Sequence, residues 1–116
     1  MESVHERLLR HAMRNEELVA LLRQKSVSLT ETREIDLHFW AFSEAEARAM
    51  TKELQEREIA IREIALDKCD AVPDMWSIEV RVEQSVSDVI ASEFVKEMIV
   101  TAAAHGCEFD GWGASV

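Results

Sequence analysis

The stretch that decides the fold is Ile35-Asp36-Leu37-His38-Phe39-Trp40-Ala41-Phe42, in which apolar residues alternate with other side chains. Successive side chains of a β-strand point to opposite faces of the sheet. One predicted face therefore carries Ile35, Leu37, Phe39 and Ala41, and the other carries Asp36, His38 and Trp40. A strand with two such different faces is typical of a sheet that packs against helices on one side only.

A helix is predicted directly after this strand. Ser43 and Glu46 have the spacing of a capping box, in which a hydroxyl and a carboxylate satisfy free amides at a helix start. The helix is expected from about residue 44 to residue 57. Its apolar stripe consists of Ala47, Met50 and Leu54. This stripe is placed to cover the apolar face of the strand.

A second set of elements follows the helix. The isoleucine-rich residues 59–66 and the alternating residues 76–83 predict two strands joined by a loop. In the second of these strands, Trp76, Ile78, Val80 and Val82 should face the core, and Ser77, Glu79, Arg81 and Glu83 should face away from it. Ser87 is the expected cap of another helix, which Gly106 ends. The stripe of that helix is Ile90, Phe94, Met98 and Ala102. A short strand should then span residues 107–112.

The chain begins with an amphipathic helix over about residues 2–25, and Asn15 marks a place where it could break. The remaining order is strand, helix, strand, strand, helix, strand. This order predicts an α+β fold, a ferredoxin-like β-α-β-β-α-β sandwich with an antiparallel sheet and an extra N-terminal helix. The length of 116 residues suits one domain, with the N-terminal helix at 1–25 and the sandwich at 34–116.

Charge limits the classes of partner. The formal net charge is −10, with 23 acidic and 13 basic side chains, which opposes direct binding to nucleic acid. It favours a basic segment of a protein partner. Cys69 and Cys107 lack the close spacing of a zinc site, and we expect no cofactor. The start of the chain has no signal-peptide pattern and no long apolar run follows, so we expect a cytoplasmic protein without a membrane segment.

The predicted partner-binding surface is the sheet face that the two sandwich helices leave open. If every strand keeps its alternation, that face carries Asp36, His38, Trp40, Glu79, Arg81, Glu108, Asp110 and Trp112. Tryptophan rings surrounded by carboxylates suit a basic protein segment. In a competing arrangement the N-terminal helix folds over this face, and Trp40 and Trp112 pack against Leu8 or Leu22.

Two other classes of function stay open. His38 with Asp36 or Asp110 could act as a general base, or the three side chains could form a small-ligand or metal site under the N-terminal helix. We expect a non-enzymatic protein, because no nucleophile pattern, phosphate loop or HExxH helix accompanies them. In a dimeric structural module, the sheet face or the first helix would pair with a second copy.

The closing segment Cys107-Glu108-Phe109-Asp110-Gly111-Trp112-Gly113, after an alanine-rich helix, resembles the signature of the regulator of ribonuclease E activity B family. Residues 35–39 followed by 43–47 are similar to the first strand and helix of that family. The resemblance covers roughly residues 18 to 114, in matching order. It implies an α+β sandwich that binds ribonuclease E and lowers its activity without chemistry of its own. The matching positions are Ile35, Asp36 and His38 in the first strand and Asp110, Gly111, Trp112 and Gly113 in the last.

Overall fold

Four antiparallel strands form one sheet in the computed structural model, which describes residues 2–57, 59 and 61–114. The elements in chain order are α1 (Val4–Gln24), β1 (Arg33–Ala41), α2 (Glu44–Glu56), β2 (Ile61–Lys68), β3 (Trp76–Gln84), α3 (Val86–Ile90), α4 (Ser92–Ala104) and β4 (Glu108–Ala114). The strand order β2-β3-β1-β4 places β1 and β3 at the centre and β4 beside β1. The predicted ferredoxin-like α+β fold with an N-terminal helix is confirmed.

The two central strands alternate as predicted. Ile35 and Leu37 are fully buried, and Phe39 is 1% exposed, whereas the intervening side chains of β1 remain partly accessible. β3 repeats this pattern with Ile78, Val80 and Val82. Each such side chain contributes about 1.5–3 kcal/mol through burial. A shift of one residue would move all of them to the open face, so burial fixes the register of β1 against β3.

The start of α2 differs in detail from the predicted capping box. The hydroxyl of Ser43 accepts a hydrogen bond from the amide of Glu46 at 3.1 Å, as expected of an N-cap. The same hydroxyl donates to the carboxylate of Glu46 at 2.9 Å. That carboxylate therefore holds the cap side chain instead of the cap amide. The helix ends at Glu56, one residue before its predicted end.

The region after β3 contains two helices where one was predicted. Ser85, not Ser87, is the N-cap, because its hydroxyl accepts from the amide of Asp88 at 3.1 Å. The extended ψ of 133° at Ala91 separates the short α3 from α4. The predicted stop at Gly106 is confirmed: its φ of 69° lets the amide of Cys107 bond to the carbonyl of Ala102 at 2.8 Å.

A β-bulge in β4 changes which face its later residues occupy. Phe39 pairs with Phe109, but His38 pairs with Gly111, so Asp110 is an extra residue in β4. Gly111 has a φ of +134°, which a residue with a Cβ rarely adopts. Trp112 consequently pairs with the core residue Leu37.

Helix α1 is continuous and lies in the helix layer. A capping box between Ser3 and Glu6 starts it, and no break occurs at Asn15, where a break was considered. The helix packs chiefly against α4, and its side chains bond to the backbone of β4. The arrangement in which α1 folds over the open sheet face is therefore wrong.

Candidate partner-binding surface

The sheet face opposite the helices is strongly acidic. Cross-strand pairing brings together seven carboxylates on this face: Glu34, Asp36, Glu63, Asp67, Glu79, Glu83 and Glu108. Two guanidinium groups, those of Arg62 and Arg81, lie among them. We call this surface the acidic face. Its excess of negative charge favours contact with a cationic ligand.

Arg81 is the centre of an ion cluster on the acidic face. Its Nε lies 3.2 Å from Asp36 Oδ1 and 4.0 Å from Glu34 Oε2, and its Nη1 lies 3.3 Å from Glu63 Oε2. The hydrogen bond that Arg81 donates to Asp36 is the main cause that raises the pKa of Arg81 above its ordinary value. Arg81 therefore remains charged and offsets part of the negative charge of its three neighbours.

A second part of the acidic face carries the aromatic side chain. Trp40 is partly exposed and pairs across the sheet with Ser77 on one side and Glu108 on the other. Its neighbour His38 pairs with Glu79. Directly opposite side chains of an antiparallel pair lie about 5 Å apart at Cβ. The structure thus brings together five of the predicted partner-binding residues with Glu108, in agreement with the predicted parity: Asp36, His38, Trp40, Glu79 and Arg81.

Trp112 does not lie on the acidic face, and this part of the prediction is wrong. The bulge at Asp110 reverses the alternation of β4, so that Trp112 faces the helix layer and is only 6% exposed. Its Nε1 donates to Asn15 Oδ1 on α1 at 2.7 Å. The ring is thus part of the contact that holds α1, and it is not available to a partner.

Asp110 is the extra residue of the bulge and also differs from its predicted position. Its backbone carbonyl accepts from Arg14 Nη1 at 2.6 Å. Its negative charge acts on His11 of α1 and raises the pKa of that side chain slightly against larger opposing effects. Asp110 therefore interacts with α1 instead of extending the row formed by Asp36 and His38.

His11 completes the contact between α1 and β4. The ring is 3% exposed, stacks on Phe109 with centroids 5.0 Å apart, and its Nε2 lies 3.1 Å from the Phe109 carbonyl. Since a carbonyl only accepts, Nε2 carries the proton and donates. Burial, followed by the charge of Arg10, lowers the pKa of His11 below its ordinary value. His11 is accordingly neutral near pH 7. We call His11, Arg14 and Asn15 with their β4 partners the α1 latch.

The catalytic and metal-binding alternatives lack an assembled site. Asp36 bonds to Arg81, and no hydrogen bond joins it to His38 among the residues described. In the same part of the chain, no group of three or more His, Cys, Asp or Glu side chains could hold a metal ion. The small-ligand alternative placed Asp36, His38 and Asp110 under α1, but α1 lies in the helix layer. An apolar cavity of about 220 Å³ beside Trp112 is lined by none of those three residues.

Part of the acidic face was not predicted from the sequence. Glu63, Ala65 and Asp67 of β2 lie on it, opposite Arg81, Glu79 and Ser77 of β3. Residues 59–66 show no regular alternation, because a second register shift occurs between Ile61 and Glu63. Glu63 and Ala65 also line a cavity of about 100 Å³ on the face with Asp36, Glu79 and Arg81. Counting alternate residues back from the β2-β3 loop would have assigned Glu63 and Ala65 to the open face.

The outward side of α1 presents a different kind of surface. Leu9 and Leu21 are each 52% exposed, and Met13 is 70% exposed. Leu9 and Met13 are four residues apart and therefore adjacent on one side of the helix. Leu9 and Met13 lie on the side of α1 opposite the α1 latch, whereas Leu21 lines the cavity beside Trp112.

The comparison with protein families gives a match. The model of a protein family described as regulator of ribonuclease activity B matches residues 12–114. The matched range includes the acidic face, the bulge and most of α1. No curated protein matches the chain. Within the described residues, no helix combines the length and apolar character needed to cross a membrane.

Proposed function

This chain belongs to the regulator of ribonuclease activity B family, and we propose that its acidic face binds a basic segment of a ribonuclease E-like nuclease. Regulation of ribonuclease activity is the function of the family. The finer proposal is that this chain regulates the nuclease by binding one of its segments and catalyses no reaction of its own. The observation that carries it is the row of carboxylates beside the partly exposed Trp40, on a sheet face that none of the described helices covers.

Charge supports a basic segment as the partner. Among the residues that the structure describes, the acidic face contains two guanidinium groups, and both are engaged: Arg81 with Asp36 and Glu63, and Arg62 with Glu83. Glu79 and Glu108, which flank the Trp40 region, have no ion-pair partner among the described residues. A lysine or arginine of the partner would gain a carboxylate contact there and could lie over the indole ring.

A physical route from binding to regulation follows from the same charges. Basic segments of RNA-processing proteins hold RNA by neutralising phosphates. A carboxylate-rich surface competes with RNA for the same lysine and arginine side chains. Binding would then lower the capture of RNA by the nuclease while leaving its catalytic groups untouched. We place this event in the cytoplasm, where a ribonuclease regulator meets its partner.

The test is a calorimetric titration with the basic region of the nuclease at low salt. Removing the carboxylates of Glu79 and Glu108 in the variant E79Q/E108Q should cost about 1–2 kcal/mol of binding free energy. The corresponding loss is about five- to thirtyfold in affinity. The control variant E16Q/E17Q changes the net charge equally on exposed positions of α1 and should leave affinity within about twofold. Equal losses in both variants would show that only net charge matters and would refute a specific face.

Replacing Arg81 gives a test in which the affinity should rise instead of fall. Its guanidinium opposes the approach of a basic segment and occupies Asp36 and Glu63. R81Q should therefore bind the basic segment more tightly than the unmodified protein, by a factor of a few. Weaker binding by R81Q would mean that the partner contacts Arg81 through an acidic group, which contradicts the proposed charge pattern.

Self-association is a second candidate, favoured by the exposed Leu9 and Met13 on the outward side of α1. Two copies could bury these side chains against each other in a symmetric contact. Sedimentation over a range of concentrations checks this, with M13E as the comparison. A monomer at every concentration would eliminate it.

A further inference from the structure

The two edges of the sheet differ in how they are protected. At the β4 edge, α1 side chains bond to the strand backbone: His11 to the Phe109 carbonyl at 3.1 Å and Arg14 to the Asp110 carbonyl at 2.6 Å. β2 forms the other edge and is hydrogen-bonded to β3 alone within the described sheet. Every second residue of an edge strand points its amide and carbonyl outward, where they can pair with another strand.

The side chains of β2 are also less covered than those of its neighbours. Ile61, Ile64 and Leu66 pack against the core from the helix side but remain partly exposed. The corresponding residues of β3, such as Ile78 and Val80, are 0% and 1% exposed. The apolar layer under the sheet therefore continues to the β2 edge, and one more strand would complete its cover.

The other side of the same edge is acidic. Glu63 and Asp67 are exposed on the acidic face, with the small Ala65 between them. A strand added beside β2 would place alternate side chains next to these carboxylates and the remaining side chains next to Ile64 and Leu66. The edge thus suits an extended segment in which basic and apolar residues alternate.

We propose that the basic partner segment binds as a fifth strand on β2, through main-chain hydrogen bonds, with basic side chains over the acidic face and apolar ones beside Ile64 and Leu66. This inference rests on the proposed function and specifies its binding mode. Strand addition to a free sheet edge is an established way of peptide recognition, in which pockets for alternate side chains provide specificity.

A second copy of the chain fits this edge less well. Antiparallel pairing of two β2 strands would join the two acidic faces on one side of a continuous sheet. Each chain has a net charge of −10, so this arrangement concentrates like charges. A basic segment brings the opposite charge to the same place.

The test uses the full chain and synthetic peptides of about nine residues, a typical strand length. One peptide alternates lysine and valine, and a second has the same composition with the lysines in one block. Two further versions of the alternating peptide carry N-methyl groups on one or the other set of alternate residues. N-methylation removes the amide donors on one strand edge without changing charge. Affinity is measured by calorimetry at low salt, and exchange of β2 amides is followed by mass spectrometry.

The alternating peptide should bind about tenfold more tightly than the block peptide. The affinity of one N-methylated version should fall about tenfold or more, because two or more hydrogen bonds to β2 disappear. The affinity of the other version should change by less than about twofold. Amides within residues 61–68 should exchange more slowly in the complex.

Three results overturn the inference in distinguishable ways. Equal binding of all four peptides, with unchanged exchange in β2, refutes strand addition and leaves the acidic face as a binding surface. Binding of none of them at low salt refutes the proposed function as well. Slower exchange of β2 amides at rising protein concentration without peptide shows that a second copy occupies the edge.

Discussion

The contact between Trp112 and Asn15 gives the sharpest prediction about stability. Both residues are 6% exposed, and the indole Nε1 donates to the amide Oδ1 at 2.7 Å. W112F removes the donor and leaves a buried carbonyl oxygen without a partner, which costs about 1–3 kcal/mol. N15L removes the acceptor and leaves the indole N–H buried and unpaired, at a similar cost. In the double variant neither polar group remains, so the two costs should not add.

The assay is urea unfolding of the four proteins of this double-mutant cycle at pH 7. We expect a coupling free energy of about 1–2 kcal/mol between W112F and N15L. This is a measurable part of the total stability of about 5–15 kcal/mol that is typical of a small domain. The matched control is a second double-mutant cycle that uses Trp40, which lies on the acidic face, in place of Trp112. The losses of unfolding free energy caused by W40F and N15L should add within about 0.5 kcal/mol. A coupling below that limit for Trp112 would refute its assignment to the α1 latch.

Three further predictions concern single residues. The pKa of His11 is lower in the folded protein than its ordinary value of 6.5, so the unfolded chain binds more protons than the folded protein below that pH. The free energy of unfolding should therefore fall as the pH drops below 6.5, by up to about 1.4 kcal/mol per pH unit. Urea unfolding between pH 5 and 8 should show this loss for the unmodified protein and for H5Q, but not for H11Q, and an unchanged slope in H11Q would contradict the account of its burial. Ser26 has a φ of 56° after the end of α1, so S26G should stabilise the protein by about 0.5–1 kcal/mol, and a lower melting temperature would show that its side chain is needed there. Burial raises the pKa of Cys107 to about 11, so mass spectrometry after iodoacetamide at pH 8 should find the folded protein alkylated at Cys69 well before Cys107, and equal rates would contradict that shift.

The alternation of β1 and β3 could be predicted because each strand keeps its parity over its whole length. Burial of one face enforces this, and residues such as Leu37 and Val80 lie where their pattern places them. The same rule placed Trp40 and Glu79 on the open side. Central strands paired on both edges offer little freedom for a register shift, so a period of two was sufficient for these positions.

The rule failed at β4 because a bulge depends on tertiary contacts. A shift of one residue at Asp110 moves Trp112 to the helix layer, and Gly111 permits it through its positive φ. The packing position of α1 could not be predicted from the sequence either, because Asn15 and His11 interact with residues about 97 positions away in the chain. An amphipathic stripe indicates that a helix packs, but not against which surface.

The acidic face as the binding surface is the central claim, and amide chemical-shift mapping with the nuclease's basic segment tests it most directly. The largest changes should fall on residues 34–40, 63–67 and 77–83, with the indole N–H of Trp40 among them and that of Trp112 unaffected. Changes concentrated on α1 around Leu9 and Met13, with β1 and β3 unchanged, would contradict the claim.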